Sequence, residues 1–245
     1  MQKVPSLFLF LIVLLLLGGC SAKQTSMVLQ RTEQAAVNAV TDPVTWGPAA
    51  GAAVLYATPY DTKLTDYFMQ HHWTGEEDNG EIARQFNGAL TIGTAVLVPE
   101  EKWQKRVERV IIEAVTLRLS RLTSYALESG IHKETPDDRN DYAIGSNHAL
   151  PPFAGSAMTR RNAQGMPISE WGKYGLVGAS YLSATIGALS RVEDGGHSFA
   201  DQLVSASVGN FIGLFFHDLF LLKEDVTVQA SVLPSGSYVG LTFRY

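Results

Sequence analysis

Apolar residues recur along most of this chain three and four positions apart, the spacing that stacks side chains on one face of an α-helix. The stripe is plainest over 101–127, where Trp103, Val107, Val110, Ile111, Ala114, Val115, Leu119 and Leu122 follow it. Further helices are predicted over 33–40, 47–56, 80–98, 149–162, 172–189 and 199–222, with Leu64, Tyr67 and Phe68 marking another. Asp42-Pro43, Thr58-Pro59 and Pro99 interrupt the runs. Residues 129–147 carry Gly, Pro, Asp and Asn without an apolar period and read as a loop. After 225 the period changes to two: 226–232 alternates, Pro234-Ser235-Gly236 signals a turn, and 238–245 is extended again. The pattern predicts an all-α bundle with a small C-terminal β-hairpin.

The N-terminus follows neither period. Lys3 precedes an unbroken apolar stretch over 7–17, which runs into Leu17-Gly18-Gly19-Cys20. So short a stretch falls below the ~20 residues a helix needs to span a bilayer, so it reads as a targeting leader. Small residues leading directly into the only cysteine resemble the bacterial lipobox. That resemblance implies a signal peptide over 1–19, a lipidated Cys20, a polar tether over 20–30 and one domain over 31–245. Ser21, where inner-membrane retention signals carry Asp, implies an outer-membrane lipoprotein facing the periplasm. A lone cysteine also rules out an internal disulfide in that oxidising compartment.

Composition narrows the function. The hydrophobic share is 46% and the charged share 18%, which suits a globular chain with a sizeable core. A net charge of -5 argues against a nucleic-acid partner, which requires a basic face. The helices at 172–189 and 199–222 are apolar and rich in small residues. Lys173 in the first, and Gln202, Asn210, His217 and Asp218 in the second, would be costly in lipid, so both read as core helices.

One polar run stands out: Ser190-Arg191, then His197, then Asp201. Asp201 lies one helical turn after His197 and can hold one ring nitrogen while the other attacks, the relation of orienter and nucleophile. Arg191 offers a permanently charged fork to an oxyanion. Other runs carry less. His71-His72 point about 100° apart on a helix and read as a surface pair rather than metal ligands. His217-Asp218 reads as a core pair, Arg160-Arg161 as a helix C-terminal pair, and Trp46, Trp73, Trp103 and Trp171 as core or rim.

The run from Ser190 to Asp201 resembles the third signature of the type 2 phosphatidic acid phosphatase / vanadium haloperoxidase superfamily. Gly145-Ser146-Asn147-His148 stands at the place of its second signature, Pro-Ser-Gly-His. Glu128 to Pro136 aligns with the first, Lys-x6-Arg-Pro, with Glu128 and Thr135 in place of the two cations. The resemblance implies the superfamily's helical bundle and a phosphomonoester hydrolysis on a lipid phosphate or another envelope phosphate. In it His197 attacks phosphorus, Asp201 orients it and His148 protonates the leaving alkoxide. Arg191, Ser146 and Asn147 bind phosphate, and Lys133 or His132 stands in for the missing cations. It implies no cofactor and no metal. The partners expected are a phosphorylated small molecule or lipid head group and the membrane through Cys20, with no nucleic acid. The alternative is a degenerate member that binds a phosphorylated ligand or partner without turnover.

Overall fold

The computed structural model describes residues 22–75, 77–131, 133–137 and 144–222, and the backbone of 226–233 and 236–243. Cys20, the leader and His132 lie outside these residues. Eight helices are described: α1 Ala22–Thr41, α2 Pro43–Tyr56, α3 Tyr60–His71, α4 Glu77–Leu97, α5 Trp103–Gly130, α6 Leu150–Gly165, α7 Glu170–Glu193 and α8 Phe199–Leu221. α1 begins at Ala22, inside the stretch that reads as a tether. Beyond α8, strands β1 (Val226–Leu233) and β2 (Gly236–Phe243) pair antiparallel.

Caps account for several boundaries. Asp42 separates α1 from α2 and accepts the Val44 N–H, with Pro43 at the first helical position, where its missing N–H costs nothing. Ser169 opens α7, and Ser198 opens α8 through a reciprocal capping box with Asp201.

α8 lies at the centre, against α6, α2, α1 and α5, while α7 packs on α4 and α6. Small residues set these distances. A methyl group at Gly209 would stand 2.2 Å from the Leu150 carbonyl oxygen, and one at Gly213 2.3 Å from that of Ala154. α6 and α8 therefore run side by side in the same direction with their backbones nearly touching. The core follows suit: Ala39, Ala157 and Leu214 are fully buried, with Phe211 and Phe215 against them. The four tryptophans are all exposed, Trp171 at 85% and Trp46, the least, at 56%. With helices this close there is no room for an indole between them, so these residues are rim and not core. α8 is long and apolar enough to cross a membrane, and 56% of its most apolar window is buried inside the bundle.

Candidate active site

Successive helices from α4 to α8 alternate in direction. The start of α4, the end of α5, the start of α6, the end of α7 and the start of α8 consequently meet at one end of the bundle. Glu128, His148, Arg191 and His197 all sit there. The N-termini of α4, α6 and α8 meet the C-termini of α5 and α7 there, so the helix dipoles largely offset one another and side chains decide the local charge.

The turn into α6 is built from Ser146. Its N–H donates to Ser205 Oγ at 3.0 Å, and Ser205 in turn donates to the Asp201 carbonyl at 3.0 Å, tying this turn to α8. Ser146 Oγ accepts the His148 N–H at 3.3 Å, and the Ser146 carbonyl accepts the Leu150 N–H at 2.8 Å. The serine is fully buried and shapes the backbone beneath the histidine. Before it, Gly145 has φ +104°, a value proline cannot adopt, and its carbonyl accepts from Ser124 Oγ. That left-handed turn is open to glycine and closed to proline. α7 presses on the other side, since a methyl at Gly187 would stand 2.8 Å from the His148 carbonyl oxygen. Asn147 Oδ1 and His148 Nδ1 are buried with no hydrogen-bond partner. Such atoms are costly unless a ligand or water completes them.

Arg191 occupies the last turn of α7, where it pairs with Asp194. Asp194 also accepts the Gly196 N–H at 2.9 Å, and Gly195 turns the chain with φ +73°. The His197 N–H donates to the Arg191 carbonyl at 3.0 Å, and His197 itself is buried, 6% exposed.

Asp201 departs from its sequence reading. Its Oδ2 accepts the Ser198 N–H at 2.9 Å, and its Oδ1 accepts the Tyr56 hydroxyl and Lys133 Nζ, the latter at 2.9 Å. Among the described residues its hydrogen bonds do not include the His197 ring. The third position of α8 is where a carboxylate satisfies the helix's open N–H groups, and that capping competes with orienting a histidine. Lys133 does reach the start of α8. There it donates to Ser198 Oγ at 3.0 Å, lies 3.9 Å from Asp61 and sits over the Tyr56 ring. Two carboxylates thus face its charge. Thr135 is buried and hydrogen-bonded to Asp137 at 2.6 Å.

The remaining charges reach one another. Burial pushes the His148 pKa down to about 4; the charges of Arg191, Arg84 and His197 push the same way and Glu81 opposes them. Burial also lifts Glu128 to about 7, against the pull of Arg191. Burial and then the Asp201 carboxylate push the Tyr56 phenol far above its usual range. Arg191, His148 and His197 therefore share one electrostatic neighbourhood, with Glu128 beside the guanidinium.

The chain is similar to a solved structure. It is the crystal structure of the first transmembrane PAP2 type phosphatidylglycerolphosphate phosphatase from Bacillus subtilis. Identity is 16%, the match covers 78% of this chain and 92% of that one, and the TM-score is 0.43. No protein-family model and no curated protein matches the chain.

Several neighbours of the site carry no signal of their own in the sequence. Tyr56, Asp61, Glu81 and Arg84 stand 60 or more positions from the run that holds Arg191 and His197, and only tertiary packing brings them there. Asp194 lies inside that run, and its i+3 spacing from Arg191 could have marked it. The weaker candidates resolve as surface and core. His71 bonds the Tyr67 carbonyl at 2.7 Å and stacks on its ring, and no group of three potential metal ligands occurs among the described residues. Arg160 pairs with Asp42 and Arg161 with Asp218, each at 2.6 Å, so they tie α6 to its neighbours rather than serving the helix end.

Proposed function

We propose that this protein is a phosphomonoester hydrolase that works through two histidines. The observation that carries this reading is the meeting of Arg191, His148 and His197 at one end of the bundle. His197 would form a bond to phosphorus as the ester oxygen leaves, and His148 would hand its proton to that oxygen. Water then attacks the phosphohistidine, His148 takes the water's proton, and phosphate departs as the N–P bond breaks. Arg191 and the Asn147 amide hold the phosphoryl oxygens. Histidine suits both roles because small shifts move its titration across neutral pH. The test is hydrolysis of p-nitrophenyl phosphate by the full chain in detergent. Wild type should exceed His197→Ala and His148→Ala by about 10²-fold or more, and equal rates would remove the reading.

A second reading is a ligand-binding relative without turnover. It is favoured by Glu128 beside Arg191, Lys133 matched by Asp201 and Asp61, and Thr135 where a cation is expected. Missing charge-assisted hydrogen bonds cost roughly 1.5–3 kcal/mol each. Restoring them with Glu128→Lys and Thr135→Arg separates the two: a large gain in rate marks a crippled cradle, and an unchanged rate marks a site complete as it stands.

We place the protein in the cell envelope, lipid-anchored through Cys20, facing the periplasm. The basis is the apolar leader ending at that cysteine. Cys20→Ala should move the protein out of the membrane fraction, and retention there would refute the anchor.

A further inference from the structure

A second concentration of positive charge lies beside the site, and the phosphoryl chemistry does not use it. Arg84 of α4 and Arg118 and Arg121 of α5 line a groove of about 220 Å³ between these helices, with Pro151 and Pro152 of α6 in its wall. Its described lining includes no carboxylate, on a chain whose net charge is -5.

Two of these charges, on Arg118 and Arg121, are incompletely matched. Arg84 is held by Glu81, with Nε at 2.8 Å. Arg121 donates to the Tyr125 hydroxyl at 3.3 Å and lies over its ring, contacts that leave its charge whole. Arg118 is exposed, and among the described residues no ion pair involves it. Arg118 and Arg121 stand three apart on one helix, where like charges repel. An anion between them would turn that cost into attraction, and guanidinium forks suit the oxygens of phosphate and carboxylate. Gly88 supplies room, since a methyl group there would meet nothing within 4 Å. The groove also adjoins the histidines. Pro151 lies three residues beyond His148, and the charge of Arg84 acts on the His148 ring together with that of Arg191.

We propose that this groove is an anion subsite next to the candidate active site. The ligand it implies is a phosphate ester with a second anionic group, a further phosphate or a carboxylate, held by Arg84, Arg118 and Arg121. The identity of the ligand as a substrate rests on the phosphatase reading; the groove's affinity for an anion does not.

The test is calorimetric titration of the full chain in detergent with inorganic phosphate and with methylenediphosphonate, which no phosphatase cleaves. Wild type should bind the diphosphonate at least about tenfold tighter than phosphate, the return on one additional charge-assisted contact. Arg118→Ala with Arg121→Ala should abolish that preference. Gly88→Leu should abolish it too, by filling the groove while every arginine stays and helix propensity improves. The subsite is refuted if wild type shows no preference or if both variants keep it. Vesicles containing phosphatidylglycerol distinguish the source of the anion. Arginine-dependent binding to vesicles with no preference for the soluble diphosphonate would assign the groove to a membrane surface and overturn the proposal. Because binding is the readout, an absence of turnover would end the phosphatase reading and leave these outcomes as they are.

Discussion

His148 is the residue on which the proposed chemistry turns, and its charge conflicts with that role. Burial and two arginines hold it neutral, with a pKa near 4, so at pH 7 it has no proton to give a leaving group. A bound phosphoryl dianion reverses the local sign. It faces Arg191, offsets the cationic repulsion and offers negative charge to the ring. Ligand binding should therefore carry a proton onto His148, because whatever raises a pKa on binding takes up protons at pH values between the two pKa values. Sulfate is a clean probe, since it does not itself titrate near neutrality. Calorimetry at pH 6 in buffers of different ionisation enthalpy should show uptake of a substantial fraction of a proton in wild type, and only a small residue of it, from Glu128, in His148→Ala. Equal uptake in both would place the proton elsewhere. Glu128 works in the opposite direction, since a carboxyl lifted to about 7 by burial is partly neutral at working pH and repels phosphate less than its position suggests.

At the scale of helices, hydrophobic spacing carried much of the architecture. α4 to α8 lie within a few residues of the predicted spans, because a periodic apolar face and a proline or glycine stop are local signals. The up-and-down alternation then follows from short connections, save the long 131–149 segment between α5 and α6, and it takes the end of α5, the start of α6 and the turn from α7 to α8 to one end. What the sequence hid is how close the helices come. Gly209 and Gly213 look like weak points in an apolar run, yet they let the backbones of α6 and α8 meet. Asp201 misled for a related reason. A residue three places into a helix can serve either the cap or a neighbouring ring, and spacing does not say which; the packing of Tyr56 and Lys133 against α8 decides it. Lys133 shows the same limit, since reaching the site is a matter of length, whereas being available to phosphate depends on Asp61 and Asp201.

Across the whole molecule, the end opposite His148 and His197 holds a second buried polar network that takes no part in the proposed chemistry. Glu113 of α5 is fully buried, accepts from Asn162 at 3.1 Å, and has its other oxygen unpartnered. Asn162 accepts from Arg109, which pairs with Glu100 at 2.6 Å, and His217 lies against Arg109 at 3.4 Å. Burial lifts Glu113 to about 7, against Asn162 and Arg109, and lowers His217. The two have opposite consequences for stability. The raised Glu113 contributes fully below its ordinary value near 4.5, and that contribution is lost as pH rises through about 7. The lowered histidines, His217 and His148, contribute above about 6.5 and are lost as pH falls through their folded values. Glu113→Gln isolates the first arm, because its amide oxygen still accepts from Asn162 and its NH2 replaces an oxygen that had no partner. Relative to wild type, the variant should gain stability as pH rises from 5 to 8, with a slope no steeper than about 1.4 kcal/mol per unit. Urea unfolding at both pH values measures this directly. A difference between variant and wild type that is the same at pH 5 and pH 8 would mean that Glu113 is ionised throughout, and that Arg109 pairs with it more closely than with Glu100.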